Sequence, residues 1–378
     1  MIQVFLQTYG LQLLASLILS LLLVRLSMLS AVPFGLVDHP SGRKDHAMPT
    51  PVTGGLGIFL ALLASWSIFN RFELQLDVFF MAGAFLLVIG ILDDRFDLSS
   101  RIRFFVQAIA AVIMIYFAGL QANEISDVVG ISGFNLGWMT PLFTIFITIG
   151  LINALNMADG SDGYLAGQVL ATLGLFAGLA FYAGNLVLAA QCLVFLAVVL
   201  GFWFWNMRFP WQPRARVFLG DAGSTFLGFA VVWFALQLTQ NPQHPVTAVL
   251  PPWMVALPVL DCVVLMLDRM RQGRSPFSAD RNHMHHLLLD AGFTPTGIAI
   301  GMMLMSIGIG CTAALAVKYD VPRTWVVFAY FALIAAYWVF SANRQRAVTQ
   351  LRYFRIGNKK DDDVVVRSEK QNEEKGPA

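Results

Sequence analysis

The feature that most constrains the fold is a series of long apolar stretches that runs through almost the whole chain. Hydrophobic residues make up 57% of the 378 residues and charged residues only 13%, a balance that ordinary soluble domains do not have. A helix needs about 20 apolar residues to cross a bilayer. The sequence therefore predicts an all-α polytopic membrane protein with about eleven spanning helices. The predicted spans cover residues 11–32, 54–69, 78–92, 102–120, 141–155, 166–183, 186–205, 224–238, 251–267, 298–317 and 325–342.

Basic residues determine the predicted orientation, because Lys and Arg near the ends of spans stay on the cytosolic side. Of the 25 basic residues, all but Arg25, Arg71, Lys318 and Arg323 fall in the loops after odd-numbered spans or in the C-terminal tail. This distribution predicts a periplasmic N-terminus and a cytosolic C-terminus. The first span has neither a basic segment before it nor a small-residue cleavage site after it, so we interpret it as a retained span.

Two regions follow from this topology. Residues 1–343 form an integral membrane domain with cytosolic loops, and residues 344–378 form a cytosolic tail that is basic at first and then polar. From about residue 358 the tail is mixed in charge and has no apolar periodicity, and we predict that the tail is disordered. We predict contact with membrane lipid and no nucleic-acid partner.

Acidic residues cluster at the ends of predicted spans, in loops that the basic residues assign to the cytosol. A charge near the bilayer centre costs about 2.5–3.5 kcal/mol on insertion scales, so carboxylates at the membrane edge call for a reason. Hard cations that bind carboxylates together with substrate phosphates provide one. These acids are Asp93, Asp94, Asp97, Asp159, Asp162 and Asp221.

Each cluster also has a plain structural interpretation. The pair at 93–94 could belong to a solvated loop with nearby arginines, and the Asp-Gly steps within 153–163 could simply form a turn between helices. Asp221 lies between two glycines at a predicted helix start, where it could cap the helix or where free amides could bind phosphate. The residues leave these alternatives open at 93–94 and 221, and they favour a ligand site at 153–163.

The longest predicted cytosolic loop covers residues 268–297 and combines arginines with histidines. Arginine suits bidentate contacts with phosphate and carboxylate groups. No cysteine accompanies the histidines and their spacing is not that of a zinc protease, so we interpret them as part of substrate recognition. The residues are Arg269, Arg271, Arg274, Arg281, His283, His285 and His286.

Taken together, these segments resemble the polyprenyl-phosphate N-acetylhexosamine-1-phosphate transferase superfamily. The resemblance is strongest to its bacterial undecaprenyl-phosphate N-acetylglucosamine-1-phosphate transferases of the WecA type, and it runs from about residue 38 to residue 292. It rests on six motifs in order. They are Asp38-His-Pro-Ser-Gly-Arg-Lys-Asp-His46, Thr53-Gly-Gly55, Asp93-Asp-Arg-Phe-Asp97, Asn156-Met-Ala-Asp-Gly-Ser-Asp-Gly163, Leu219-Gly-Asp-Ala-Gly-Ser224 and Ser275-Pro-Phe-Ser-Ala-Asp-Arg-Asn-His-Met-His-His286.

The resemblance implies transfer of N-acetylglucosamine 1-phosphate from UDP-GlcNAc to undecaprenyl phosphate, with release of UMP, as the initiating step of a cell-surface polysaccharide such as O-antigen. It implies Mg²⁺ or Mn²⁺ on the diphosphate and a location in the bacterial inner membrane, and it is compatible with a homodimer. By motif, the implied metal ligands are Asn156 and Asp221, and the implied catalytic pair is Asp93 and Asp94. The implied substrate-binding residues are Lys44, Asp97, Arg103 (Lys in many relatives), Asp159, Asp162, Arg281, His283, His285 and His286.

Several alternatives stay open. His283-Met-His-His286 differs from the three-His motif of the related enzyme that uses UDP-MurNAc-pentapeptide, which argues against a peptide-bearing donor but leaves other UDP-N-acetylhexosamines. A secondary transporter is the alternative from another class, since Pro258 and Asp261 lie inside a predicted span. The lipid phosphate could attack the donor directly, or Asp93 or Asp94 could form a phospho-aspartyl intermediate. The role of Asp261 is left open.

Overall fold

The computed structural model of the protein describes residues 2–38, 48–69, 74–131, 133–243, 246–276 and 282–356. Helices make up most of this part of the chain, and two short strands lie between the first two helices. The strands are β1 (Val37–Asp38) and β2 (Thr50–Pro51). The helices are α1 (Ile2–Phe34), α2 (Gly54–Ile68), α3 (Leu74–Phe96), α4 (Ser100–Ala118), α5 (Ser126–Val129), α6 (Thr140–Ala158), α7 (Tyr164–Tyr182), α8 (Leu186–Asn206), α9 (Gly220–Thr239), α10 (Leu250–Met254), α11 (Ala256–Arg271), α12 (Met284–Asp290), α13 (Pro295–Lys318), α14 (Arg323–Ser341) and α15 (Arg344–Ile356).

This architecture confirms the predicted all-α polytopic class. Within the described residues, nine helices are long and apolar enough to cross a membrane: α1, α3, α4, α6, α7, α8, α9, α13 and α14. The other two predicted spans correspond to α2, which has 15 residues, and to α10 and α11, which are separated at Val255. Because α2 and α11 are shorter than the roughly 20 residues that a bilayer requires, the number of eleven spans stays a prediction, as does the orientation.

The prediction of a disordered tail is wrong for its first part. Residues 344–356 form α15, which packs against α12 and buries Ala347 completely. The basic residues that suggested a solvated tail are partly used in this packing, because Arg352 and Arg355 donate hydrogen bonds to the carbonyl oxygens of Asp290 and Gly292. Residues 357–378 lie outside the described part of the chain.

Helix α9 lies at the centre of the helix assembly. Of its most apolar 18 residues 83% are buried, against 11% in α14 at the periphery. It contacts α2, α3, α6 and α7, and a helix that is apolar around its whole circumference suits such a position. Asp221 lies in its first turn. The most enclosed helix therefore carries one of the two predicted metal ligands at its N-terminal end.

Small residues bring the neighbouring helices against the first turn of α9. A Cβ atom on Gly55 of α2 would overlap the Cα atom of Gly223, and a Cβ atom on Gly90 of α3 would overlap that of Ala222. Small residues of this kind are the usual means by which membrane helices approach backbone to backbone. The strand β2 joins the same region, since the Phe218 amide donates to the Pro51 carbonyl over 2.8 Å.

The Gly55 contact yields a prediction on stability. Gly55→Ala places a methyl group against the backbone of α9, which cannot move as a flexible side chain would, so we expect a loss of about 1–3 kcal/mol and a lower thermal unfolding temperature in detergent. Gly178→Ala is the matched control, because a Cβ at Gly178 has no neighbour within 4 Å. Equal unfolding temperatures for the two variants would contradict the close approach.

Candidate active site

The C-terminal ends of α3 and α6 meet at the first turn of α9. The Asp94 carboxylate, at the C-terminal end of α3, accepts hydrogen bonds from the backbone amides of Asp221 (2.7 Å) and Ala222 (3.2 Å). The Asn156 amide nitrogen, at the C-terminal end of α6, donates to Asp221 Oδ1 (2.6 Å) and to Ser224 Oγ (2.7 Å). Three residues from three predicted motifs are thus in direct contact.

The capping group of α9 is the carboxylate of Asp94. Both oxygens of this cap belong to α3. Asp221 contributes its backbone amide to the cap, and its side chain accepts from Asn156 instead. Asp221 is therefore not the capping group of this helix, and its own amide and that of Ala222 are occupied by Asp94. Gly220 permits the arrangement, because its φ of +73° is left-handed and a Cβ there would lie 2.6 Å from Asp94 Oδ2.

Asp93 organises the turn between α3 and α4. The residue is 5% exposed, Oδ1 accepts from the Leu98 amide over 2.8 Å, and Oδ2 lies 3.4 Å from Arg103 Nη1. Asp97 is exposed beside it in a left-handed conformation (φ +51°), which Asp tolerates better than most residues. Asp93 therefore pairs with Arg103, one of the residues predicted to bind phosphate.

The segment between α6 and α7 is fixed by contacts with α8 and the loop that follows it. Asp162 Oδ2 accepts from Arg208 Nε over 2.6 Å and from the Ala215 amide over 3.3 Å. Gly163, with φ +76°, donates its amide to Asn206 Oδ1 over 2.7 Å and accepts from Trp203 Nε1 over 3.0 Å. Asp162, predicted to bind substrate, is thus half of an ion pair that holds this loop.

Asp159 lies on the same segment and faces other carboxylates. Burial of the carboxyl group, followed by repulsion from Asp221 and Asp162, raises the pKa of Asp159 to about 7, although the residue as a whole is exposed. A bound cation would reverse that shift by favouring the ionised form.

The carboxylates around Asp221 form an anionic cluster. Asp93, Asp94 and Asp159 all lie close enough to Asp221 for their charges to repel. The donor atoms are carboxylate and amide oxygens, which hard divalent cations prefer. Among the described residues, no three His, Cys, Asp or Glu side chains form a ready metal cage. The residues fit a cation that takes one or two protein ligands and completes its shell with substrate phosphates and water.

His285 packs against the segment between α6 and α7. His285 is 1% exposed, and its ring lies against Gly160 with its centroid 5.7 Å from that of the Tyr164 ring. Neither of its ring nitrogens has a hydrogen-bond partner in the described part of the chain. Burial, followed by the neighbouring His286 and His283, lowers the pKa of His285 to about 3, so this ring is neutral at physiological pH.

Comparison with known proteins identifies the family. The model of glycosyl transferase family 4 matches residues 76–239. A Yersinia pestis protein named undecaprenyl-phosphate alpha-N-acetylglucosaminyl 1-phosphate transferase is 35% identical over 80% of this chain and 83% of its own length. Proteins of the same name from Escherichia coli (strain K12) and Haemophilus influenzae are 33% and 32% identical, over 85% and 84% of this chain and 87% and 89% of their own lengths. The chain belongs to glycosyl transferase family 4.

Membership of the family confirms the resemblance drawn from the six motifs. The matched residues 76–239 contain the contacts among Asp94, Asn156 and Asp221. Helix α12, which carries His285, lies outside that range, and it contacts the site where the His285 ring packs against Gly160. Lys44 and Arg281, both predicted to meet substrate, lie outside the residues that the structure describes.

Four residues support the site although the six motifs assign them no role there. Ser224 and Asn206 bond to Asn156 and Gly163, Arg208 pairs with Asp162, and Tyr337 donates to the buried Asp261. Asn206 directly follows one predicted span and Tyr337 carries a hydroxyl inside another, so polar groups at the end of or within apolar runs were the available signal.

The cap on α9 yields a second prediction. Asp94→Ala leaves the amides of Asp221 and Ala222 without their acceptor, so we expect a loss of about 0.5–2 kcal/mol and a lower thermal unfolding temperature. Asp97→Asn is the control, because it removes a neighbouring charge, keeps a residue that tolerates the left-handed conformation, and breaks no cap. An Asp94→Ala protein as stable as the Asp97→Asn protein would rule out the capping role.

Proposed function

We propose that this chain transfers N-acetylglucosamine 1-phosphate from UDP-GlcNAc to undecaprenyl phosphate and releases UMP. The observation that carries the proposal is the meeting of Asp94, Asn156 and Asp221 at one helix start, with Asp93 and Asp159 close by. Relatives that are 32–35% identical over most of their length are named for this acceptor and this sugar phosphate.

Direct attack is the simplest route for this reaction. An oxygen of the lipid phosphate forms a bond to the sugar-proximal phosphorus of the donor, the bond from that phosphorus to the bridging oxygen breaks, and the oxygen leaves with UMP. A phosphate monoester has a second pKa near 6, so the acceptor is largely ionised at neutral pH and needs little base catalysis. Positioning and charge neutralisation then supply most of the rate acceleration.

The protein's residues divide the work in this proposal. Asn156 and Asp221 would hold Mg²⁺ or Mn²⁺, which when bound would neutralise charge on the donor diphosphate. Asp94 keeps α9 in place, since both of its oxygens are taken by amides. One oxygen of Asp93 lies as far as 3.4 Å from Arg103, which is a long and therefore weak contact. Asp93 is thus the member of the pair that we assign to the reactants.

The remaining roles follow the motifs and belong to the same proposal. Lys44, Asp97, Arg103 and Arg281 would serve the phosphates and the nucleotide, and the histidines would serve the sugar-bearing donor. The cytosolic position of the site, the inner-membrane location, the polysaccharide product and a homodimer are parts of this proposal. Another UDP-N-acetylhexosamine as donor is its nearest alternative. A transporter fits less well, because Asp261 is engaged by three internal donors.

The activity is tested with purified protein, UDP-GlcNAc, undecaprenyl phosphate and Mg²⁺. We expect equimolar UMP and lipid-linked product, loss of turnover with a chelator and recovery with Mg²⁺ or Mn²⁺. UDP-GalNAc is supplied in parallel. Asp221→Ala should lower the rate roughly a hundredfold or more, the scale on which loss of one group that stabilises developing charge acts.

The matched control for Asp221→Ala is Asp127→Ala, which removes an exposed carboxylate from α5. Its rate should equal that of the unmodified protein. Product from UDP-GalNAc alone would change the proposed donor, and no transfer from either sugar nucleotide would refute the enzyme assignment.

The two chemical routes are separated by omitting the acceptor. Donor labelled with ³²P on the sugar-proximal phosphate is mixed with protein and Mg²⁺, and the protein is then denatured and counted. Direct attack predicts no protein-bound label. Label that disappears in the Asp93→Ala protein would instead establish a phospho-aspartyl intermediate.

A further inference from the structure

Asp261 is a buried carboxylate that neither the motifs nor the proposed chemistry uses. It lies on α11 and is 2% exposed. A buried ionised carboxylate is retained only when hydrogen bonds or charges compensate for lost hydration. The donors that surround Asp261 therefore indicate what it does.

Three donors from two other parts of the chain converge on this carboxylate. Oδ1 accepts from the Met284 amide over 2.9 Å and from the Tyr337 hydroxyl over 2.7 Å, and Oδ2 lies 2.9 Å from His283 Nδ1. Met284 is the first residue of α12. Asp261 thus caps α12 from a neighbouring helix and also holds the histidine just before it.

The contact with Nδ1 selects one form of the His283 ring. When Nδ1 carries the proton that Asp261 accepts, Nε2 of the neutral ring is a hydrogen-bond acceptor, and Nε2 of the protonated ring is a donor. A carboxylate behind a histidine orients functional imidazoles in this way in other sites. His283 is 8% exposed, so its ring is held in a mostly closed environment.

His283 is connected to the segment that carries Asp159. Its ring is stacked on the His285 ring with centroids 5.5 Å apart, and the His285 ring lies against Gly160. A displacement of α12 would therefore shift the His285 ring that packs against Gly160, the residue next to Asp159. The path from Asp261 to the candidate active site runs entirely through direct contacts.

A second set of bonds holds the far end of α12. Arg344 pairs with Asp290, Arg352 donates to the Asp290 carbonyl, and Arg355 donates to the Gly292 carbonyl, each of the last two over 3.0 Å. Cations favour the C-terminal end of a helix. The helix of seven residues is thus fixed at both ends by α11, α14 and α15, all of which follow the family-matched range.

We infer that Asp261 and Tyr337 are positioning residues that fix His283 and α12 against the donor site, so that the last helices contribute to donor binding. This inference rests on the proposed function. It assigns no catalytic role to either residue, since both act through His283. It predicts an effect on the sugar nucleotide and little effect on the lipid acceptor.

The test compares Tyr337→Phe with Tyr330→Phe. Both variants remove one hydroxyl from α14, but the Tyr330 hydroxyl is buried and has no hydrogen-bond partner in the described part of the chain. We expect Tyr337→Phe to raise KM for UDP-GlcNAc roughly tenfold, the scale on which loss of a single hydrogen bond acts. Its kcat and its KM for undecaprenyl phosphate should stay within about twofold, and Tyr330→Phe should match the unmodified protein.

Amide hydrogen exchange over residues 284–292 is the second readout and needs no catalysis. Exchange there should be roughly tenfold faster in Tyr337→Phe than in Tyr330→Phe, because α12 has lost support at its first turn. Asp261→Asn, which keeps the shape but cannot accept from all three donors, should show a larger effect and serves if Tyr337→Phe does not fold.

The outcomes separate this inference from the proposed function. Unchanged exchange and unchanged donor KM in folded Tyr337→Phe protein would overturn it. A joint change of kcat and both KM values with a lower unfolding temperature would also overturn it, since that result marks a general structural role. If the unmodified protein transfers no sugar phosphate, the proposed function fails, and the exchange data alone still decide whether Asp261 and Tyr337 hold α12.

Discussion

The site depends on how the first turn of α9 is held among its neighbours. The backbone amides at a helix start lack partners within the helix, and here two of them are satisfied by the carboxylate of Asp94 from α3. The same turn is approached so closely by Gly55 and Gly90 that no side chain fits between the backbones. Asp221 can be presented to Asn156 only because α2, α3 and α6 fix this turn together.

That arrangement also explains how several carboxylates can lie side by side. Asp94 is compensated by two amides, Asp93 by the Leu98 amide and Arg103, and Asp162 by Arg208. Asp221 receives the Asn156 amide, and Asp159 keeps a raised pKa near 7. Asp94 and Asp162 act as scaffold through their short hydrogen bonds to the start of α9 and to Arg208. Asp93, Asp159 and Asp221 are left to meet a cation and substrate phosphates, which are the natural counterparts of clustered carboxylates.

The sequence predicted the class of fold and which segments meet, for identifiable reasons. Apolar length located the helices, and acids at span ends marked α3, α6 and α9 because charge at a membrane edge is costly. It could not separate Asp94 from Asp93, since only the geometry tells which carboxylate faces the amides of Asp221 and Ala222. Nor could it place Tyr337 beside Asp261, because 76 residues separate the two in the chain.

The prediction for the tail failed over residues 344–356 because it relied on a local pattern alone. Charge and low apolar content favour disorder, but α15 is ordered by contacts that the local pattern does not contain. The carbonyls of Asp290 and Gly292 are acceptors at a helix C-terminus, and the arginines of α15 satisfy them.

Two helix starts, those of α9 and α12, are capped by aspartates from other helices. The first lies within the family-matched residues and serves the proposed phosphate chemistry. The second lies beyond them and holds the histidines, so a change in α14 or α15 can alter donor binding and leave the carboxylate cluster intact.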